Sequence, residues 1–542
     1  MQMATVLAVW KPTRRERIGE FLEGLPGFTK SVACFERNAQ ELGRPESSCR
    51  KVGRLNERSS RDARYFRGSD QLIVLRDGKA VHMGKELTGI RSLQRRTQSY
   101  MQERIVSVQT SLQAIAKKAS EQPGYRFRNL FGMLNEEMLK DSWCDIRKNA
   151  ASGVDRVSAV DYEQNLEGNI QQLVDELKRK HYRAKNVLRR YIPKGNGKLR
   201  PLGIPATQDK LLQISVKRIL EAIFEQDFLR CSYGYRPGVS ALDAVDKLTV
   251  KLQFGKYNYV VEADIKGFFD NINHEWLLKM LAERVDDKSF LWLIEKWLKA
   301  GVLDTDGKVL HPETGTPQGG IVSPILANVY LHFALDLWFQ KVVIPHCSGE
   351  ACLIRFADDF VCAFEKEGDA RRFYEALGER MKKFNLELSA EKTQIIPFSP
   401  SGVAGSSSFN FLGFEFRWGK DRSGKPHVDK RTARKSLRNS LARFKLWCKD
   451  NRHRRLPDLF KALNAKLRGY FNYFGVHGNL PSLTEFYYHA IRYLQRCLNR
   501  RSQRKSYNWD GFKQLLTQFG VVKPHIVNRP KRVSRAFMPG LS

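Results

Sequence analysis

The stretch LIRFADDFVCAF, residues 353–364, sets two adjacent carboxylates, Asp358 and Asp359, inside a mainly apolar run. Leu353–Phe356 and Phe360–Phe364 read as two short strands, with Ala357-Asp358-Asp359 as the tip of a β-hairpin between them. Along a regular strand neighbouring side chains point to opposite faces, whereas at a tight turn both can approach one site. Two carboxylates held that close repel, and the proton affinity of one rises. A divalent cation removes the conflict, and Mg²⁺ favours carboxylate, water and phosphate oxygens.

One hairpin supplies too few ligands, so a third carboxylate should come from elsewhere. Asp264 is the best candidate, because it follows the strand-like YNYVVEA and precedes a turn, KGFFDNI. A strand-end aspartate beside a hairpin-tip pair is a donor set for two ions about 3.5–4 Å apart, the spacing used in phosphoryl and nucleotidyl transfer. Alone, an Asp-Asp dipeptide also fits a plain surface turn; the apolar flanks and the second strand-end aspartate favour a site.

Outward from this centre, strand and helix patterns alternate. VLRRYIPKGNGKLRPLGIPA reads as two strands around a KGNGK turn, DKLLQISVKRILEAIFEQDF as a helix, and GTPQGGIVSPILANVYLHFALDLWF as a Gly-Pro loop before a long apolar helix. The order predicts an α+β domain with a mostly antiparallel sheet. After FNFLGFEFRWG, residues 409–419, the pattern turns helical and basic: from residue 431 onward 25 Lys and Arg face four acidic residues, with aromatics interleaved. Such a module suits a nucleic-acid backbone, and its aromatics suit a helical core.

The totals agree. The 542 residues carry 93 Lys and Arg against 58 Asp and Glu, a formal net charge of +35, which points to a polyanionic partner, most often nucleic acid. No apolar run reaches the length of about 18 residues needed to span a bilayer, so no membrane is expected. The N-terminus lacks the basic start of a secretion signal. Nine cysteines without a C-x-x-C pair indicate neither a zinc ribbon nor a disulfide framework, and suit a reducing compartment. Residues 1–125 read as a basic N-terminal extension, partly disordered.

ADIKGFFD (263–270), TPQGGIVSPILANVYLH (316–332), FADD (356–359), SAEKTQ (389–394) and FLGF (411–414), with IPKGNGKLRPLGIP (192–205) and SYGYRPG (232–238), together resemble the reverse transcriptases encoded by group II introns. The motifs stand in the family's order and spacing, from about residue 126 to about 530. The resemblance implies a right-hand polymerase. Fingers and palm with an antiparallel sheet would occupy 126–420, an all-helical thumb and maturase domain 421–530, and a basic tail 531–542. GVDRVSAVDYEQNLEGNI resembles the family's segment before the fingers, which lies over the template.

The same resemblance assigns roles. Asp264, Asp358 and Asp359 would hold two Mg²⁺ ions, with the Ile265 carbonyl as a further ligand. Lys194 and Arg200 would clamp the incoming triphosphate. Gln318 would touch the nucleotide near its sugar, and Phe269 matches the gate that excludes a 2′-hydroxyl. Lys392 matches a lysine that protonates pyrophosphate, and FLGF would grip the primer. Implied partners are structured intron RNA, an RNA template with a DNA primer, dNTPs and a DNA target. The implied setting is bacterial cytoplasm, in association with the nucleoid, or an organelle in a eukaryote. Phe356 stands where many members have tyrosine, a loss of one hydroxyl with which activity should survive. No endonuclease signature follows residue 530, so mobility is expected to use a nick made elsewhere. Two other readings stay open: a domesticated enzyme of this fold in DNA repair or phage defence, and an RNA-binding maturase without polymerase activity.

Overall fold

The computed structural model describes residues 108–193, 199–316, 319–400, 407–501 and 506–527. The assignments to residues 1–107 and 528–542, and to Lys194 and Gln318, lie outside these. Within them the strands are, in chain order, β1 Val187–Pro193, β2 Leu199–Ile204, β3 Tyr259–Lys266, β4 Val302–Leu303, β5 Val309–Leu310, β6 Ala351–Phe356, β7 Asp359–Phe364, β8 Glu387–Leu388, β9 Gln394–Pro397, β10 Ser408–Phe411, β11 Phe414–Lys420 and β12 Pro426–Thr432. They form three sheets: β2-β1-β4-β5; a central sheet in which β6 pairs β7 and β7 pairs β3; and β10-β11-β12. β8 and β9 both lie on the other edge of β3, opposite Ile265–Lys266 and Tyr259–Glu262 respectively. Every pairing is antiparallel except β1 with β4, as the mixed α+β pattern led one to expect.

Alternation splits the central sheet into two faces. Val261, Ala263, Phe360, Cys362 and Phe364 share one face and are buried. There Phe364 meets Phe373 of the helix Glu367–Lys383 at 5.1 Å and Phe339 at 6.1 Å between ring centroids. The other face carries Val260, Val361 and Ala363, which join the helix Ala241–Phe254 in one apolar cluster. Further along this second face come Glu262, Asp264 and Asp359, only partly buried. The site therefore lies where the cover of one sheet face stops.

That cluster does not end at the sheet. It runs through Phe409, Phe411, Phe414 and Phe416 into the helices Arg434–Asn451, Leu456–Phe474 and Leu480–Leu498, through Phe444, Leu459, Phe486 and Leu494. Each such buried side chain contributes about 1.5–3 kcal/mol.

The structure departs from the sequence reading at several points. Asp264 is not at a strand end: β3 continues through Ile265 and Lys266, because β8 offers them a partner. The chain does not turn helical directly after residue 420, because β12 pairs with β11 first. The folded part also takes in residues 108–121, a helix that buries Ile115 and Ala119 and receives Arg284 on the Ala119 carbonyl at 3.0 Å. Among the described residues no helix is long and apolar enough to cross a membrane.

Candidate active site

Asp264 on β3 stands directly opposite Asp359, the first residue of β7. Such a pair has Cα atoms about 4.5–5.5 Å apart and side chains on one face. The β6–β7 loop is only Ala357–Asp358, shorter than the three-residue tip read from the sequence. The structure thus sets Asp264 and Asp359 side by side, with Asp358 in the adjoining turn. Burial pushes the Asp359 carboxyl up to about 7, with the charges of Asp358, Asp264 and Glu262 adding to the effect and Lys392 opposing it. Asp358 is raised for the same first reason, burial, with Asp264 adding and Arg200 and Arg355 opposing.

Three crowded anions need a fixed backbone, and Arg355 supplies it. Its guanidinium is fully buried. Nε and Nη2 donate to the two Asp336 oxygens at 2.7 and 2.6 Å, and Nη2 also donates to Ser232 Oγ at 2.7 Å. Nη1 donates to Asn328 Oδ1 at 3.1 Å and to the Ala357 carbonyl, in the turn itself, at 2.9 Å. All five N–H donors are thereby used. Asp336 reaches this position from a π-helical turn, His332–Asp336, that follows the helix Ser323–Leu331. π-Turns inside helices often mark functional sites. A Cβ on Gly234 would overlap the Ala357 nitrogen, so the SYGYRPG motif needs glycine where it presses on the turn.

The other expected residues gather around this core. Ser389 N donates to the Asp264 carbonyl at 2.8 Å, so the loop between β8 and β9 crosses at Asp264 and sets Lys392 Nζ on its carboxylate. Ile265 has its side chain in the core and pairs with Leu388. Phe269 lies in the short helix Phe268–Asn271 after β3, and its carbonyl accepts from Thr316 N at 2.8 Å. Further on, Ile321 N donates to Gln213 Oε1 at 2.9 Å. Gly319, at φ 112°, adopts a backbone that favours glycine, and a Cβ there would overlap the Gly203 carbonyl. Arg200 is exposed on β2, and its charge is felt at Asp358. FLGF forms the β10–β11 turn.

Sequence reasoning missed Arg355, Asp336, Glu262, Tyr235 and Tyr473. Glu262 shares the face of Asp264 two residues earlier on β3 and is raised first by its own burial. Tyr473 donates to the Leu412 carbonyl at 2.9 Å, and its phenol is raised by burial and by the charge of Asp359. A signal existed for two of them: Arg355 and Asp336 are opposite charges, each set in an apolar run.

The donors at this centre are hard carboxylate oxygens, the class Mg²⁺ prefers. Among the described residues no three such groups close on one point. Mg²⁺ takes few protein oxygens and keeps waters and substrate phosphates as its other ligands.

Comparison with known proteins agrees with this geometry. A reverse transcriptase (RNA-dependent DNA polymerase) family model matches residues 192–416, and the group II intron, maturase-specific domain matches residues 437–515. Protein YkfC of Escherichia coli (strain K12) is 33% identical over 325 residues, 54% of this chain and 82% of that protein. Group II intron-encoded protein LtrA of Lactococcus lactis subsp. cremoris is 29% identical over 465 residues, 70% of this chain and 75% of its own length. An uncharacterized 91 kDa protein in the cob intron of Schizosaccharomyces pombe is 33% identical over 239 residues, 44% of this chain and 29% of that protein. The chain belongs to the group II intron-encoded reverse transcriptase/maturase family, whose polymerase domain makes it an RNA-directed DNA polymerase.

Proposed function

We propose that this protein copies RNA into DNA at Asp264, Asp358 and Asp359, and that its C-terminal helices bind the intron RNA and assist its splicing and mobility. The observation that carries the reading is the register of β3 on β7, which sets Asp264 beside Asp359 at the mouth of a two-residue turn. In this reading the central sheet is the palm, the β1–β2 sheet the fingers, and the helices after β12 the thumb and maturase module.

The three aspartates and the Ile265 carbonyl would hold two Mg²⁺ ions. Bound there, Mg²⁺ supplies activation of a primer 3′-hydroxyl and charge neutralisation at the phosphates. Arg200 and Lys194 hold the dNTP triphosphate through charge-assisted hydrogen bonds. Gln318 and Phe269 meet the sugar, where Phe269 leaves no room for a 2′-hydroxyl. Lys392, in reach of Asp264, holds the proton that the leaving pyrophosphate takes. The FLGF turn, fixed by Tyr473, holds the primer. The basic helices take structured RNA, the template–primer duplex and a DNA target along their phosphates. The protein then works where its RNA is made, in a bacterial cytoplasm or, in a eukaryote, in an organelle.

The test is primer extension on an RNA template with dNTPs and Mg²⁺, by wild type and Asp358→Ala, alongside a splicing assay. Extension by wild type alone, with splicing in both, supports the reading. Equal extension by both sinks the site assignment. Splicing without extension in either leaves a maturase that does not polymerise.

A further inference from the structure

Tyr235 follows Gly234 in the SYGYRPG motif. Its φ is 58°, in the left-handed region. A bulky residue there is uncommon, and such strain persists where the surroundings over-determine it, most often at functional sites. Here they do. Arg355 N donates to the Cys231 carbonyl and Tyr233 N to the Arg355 carbonyl, each at 2.8 Å. Asn328 Nδ2 donates to the Gly234 carbonyl at 2.7 Å, and Gly234 presses on the Ala357 nitrogen. On the other side Arg236 binds Glu225 at 2.9 Å and the Ser232 carbonyl at 2.8 Å. The backbone that carries Tyr235 is therefore locked to the turn that carries Asp358.

The ring so held is not spent on packing. Tyr235 is 47% exposed. One side of it meets Phe269, with centroids 6.4 Å apart and planes at 71°. Its phenol is raised by burial and then by the charge of Asp358, with Arg200 acting against them. Phe269, assigned to the sugar, packs on one side of it, and Asp358 and Arg200, assigned to the metal and the phosphates, are near enough for their charges to act on it. A nucleotide that reached all three would lie against this ring. Asparagine or glycine would hold the same backbone at less cost, so an exposed tyrosine here is explained by its side chain.

We propose that Tyr235 is a second nucleotide-selecting residue, whose ring joins Phe269 in a two-sided aromatic wall that the sugar and base of the incoming deoxynucleotide close against. This rests on the polymerase reading above. Aromatic contact of this kind is specific in shape and tolerant of base identity.

The experiment is single-nucleotide incorporation by the full chain on an RNA template and DNA primer, with each dNTP and its ribonucleotide. The variants are Tyr235→Asn, which tolerates the backbone, Tyr235→Phe and Phe269→Ala, with thermal melting as the folding control. Tyr235→Asn should raise KM for dNTPs about tenfold, leave kcat nearly unchanged, and narrow the preference for deoxynucleotides. Tyr235→Phe should behave as wild type. Should Tyr235→Asn melt early, Tyr235→Leu carries the same comparison. Unchanged KM and preference in Tyr235→Asn, with preference lost in Phe269→Ala, overturns this inference alone. If neither variant alters preference, the gate assigned to Phe269 falls with it. A fall in kcat at constant KM also overturns it, since the ring would then act on the turn and not on the nucleotide.

Discussion

From Cys352 to Ile354 and from Phe360 to Phe364 the β6–β7 hairpin is buried, and its turn is tied down by a guanidinium. In the β1–β2 hairpin, by contrast, Arg190–Pro193 and Leu199–Arg200 face solvent. The roots differ as well. Under the turn of β6–β7 lies a closed ion pair, Arg355 with Asp336. Under β1 lies a single buried carboxylate, Asp209, which accepts from Tyr182 Oη at 2.6 Å and Lys185 N at 3.1 Å. Burial raises Asp209 to about 6. The contrast fits what the proposed function asks of each hairpin. Like charges brought together need a backbone that cannot relax away from them. A long cationic side chain reaching for phosphate needs no such frame.

Breaking the buried hairpin should cost most. Asp359→Asn is expected to cut primer extension about a thousandfold, ~4 kcal/mol of barrier, without lowering the melting midpoint, since it removes a partly buried and repelled carboxylate. Asp336→Ala should cost about 3–5 kcal/mol of stability, because it leaves the Arg355 charge buried and unpaired. A lower melting midpoint reads this out, and extension should fall with it. An unchanged midpoint would remove Arg355 as the frame of the turn.

The exposed hairpin should respond differently. Arg200→Ala is expected to leave melting unaltered and raise the dNTP KM about tenfold; a fall in melting midpoint would erase the contrast. The smallest effect concerns Asp209. Its folded pKa of about 6 lies above its ordinary value of 3.8, so the folded protein binds more protons between these values. Stability from this group is full below about pH 4 and is lost as pH rises through about 6. Asp209→Asn should flatten the melting midpoint across that window, and a slope equal to wild type would show that Asp209 does not titrate there.

What could be read from the sequence was local. The apolar flanks of Asp358 and Asp359 mark two strands because alternation and turn chemistry act over a few residues. Asp264 could be found because it directly follows the strand-like run YNYVVEA. The frame was hidden because it is assembled from distant parts. Arg355 is one of 93 basic residues, and only the fold shows it buried against Asp336. Asp336 sits in a helix whose π-turn has no plain signature. The left-handed backbone of Tyr235 is imposed by Gly234 and Asn328, which periodicity does not register. β12 is a short, charged run, PHVDKRT, which becomes a strand only because β11 offers it an edge.

The apolar cluster shared by the central sheet and the C-terminal helices has a mechanical corollary. On the proposed reading, a duplex held beside them is not admitted by a swing about a slack tether, because the β10-β11-β12 sheet packs on the helices through rings such as Phe414 and Phe474, 5.3 Å apart. Any opening has to be spread as small slips over many interlocked side chains. Substitutions far out on the C-terminal helices will therefore be felt, attenuated but present, at the carboxylates.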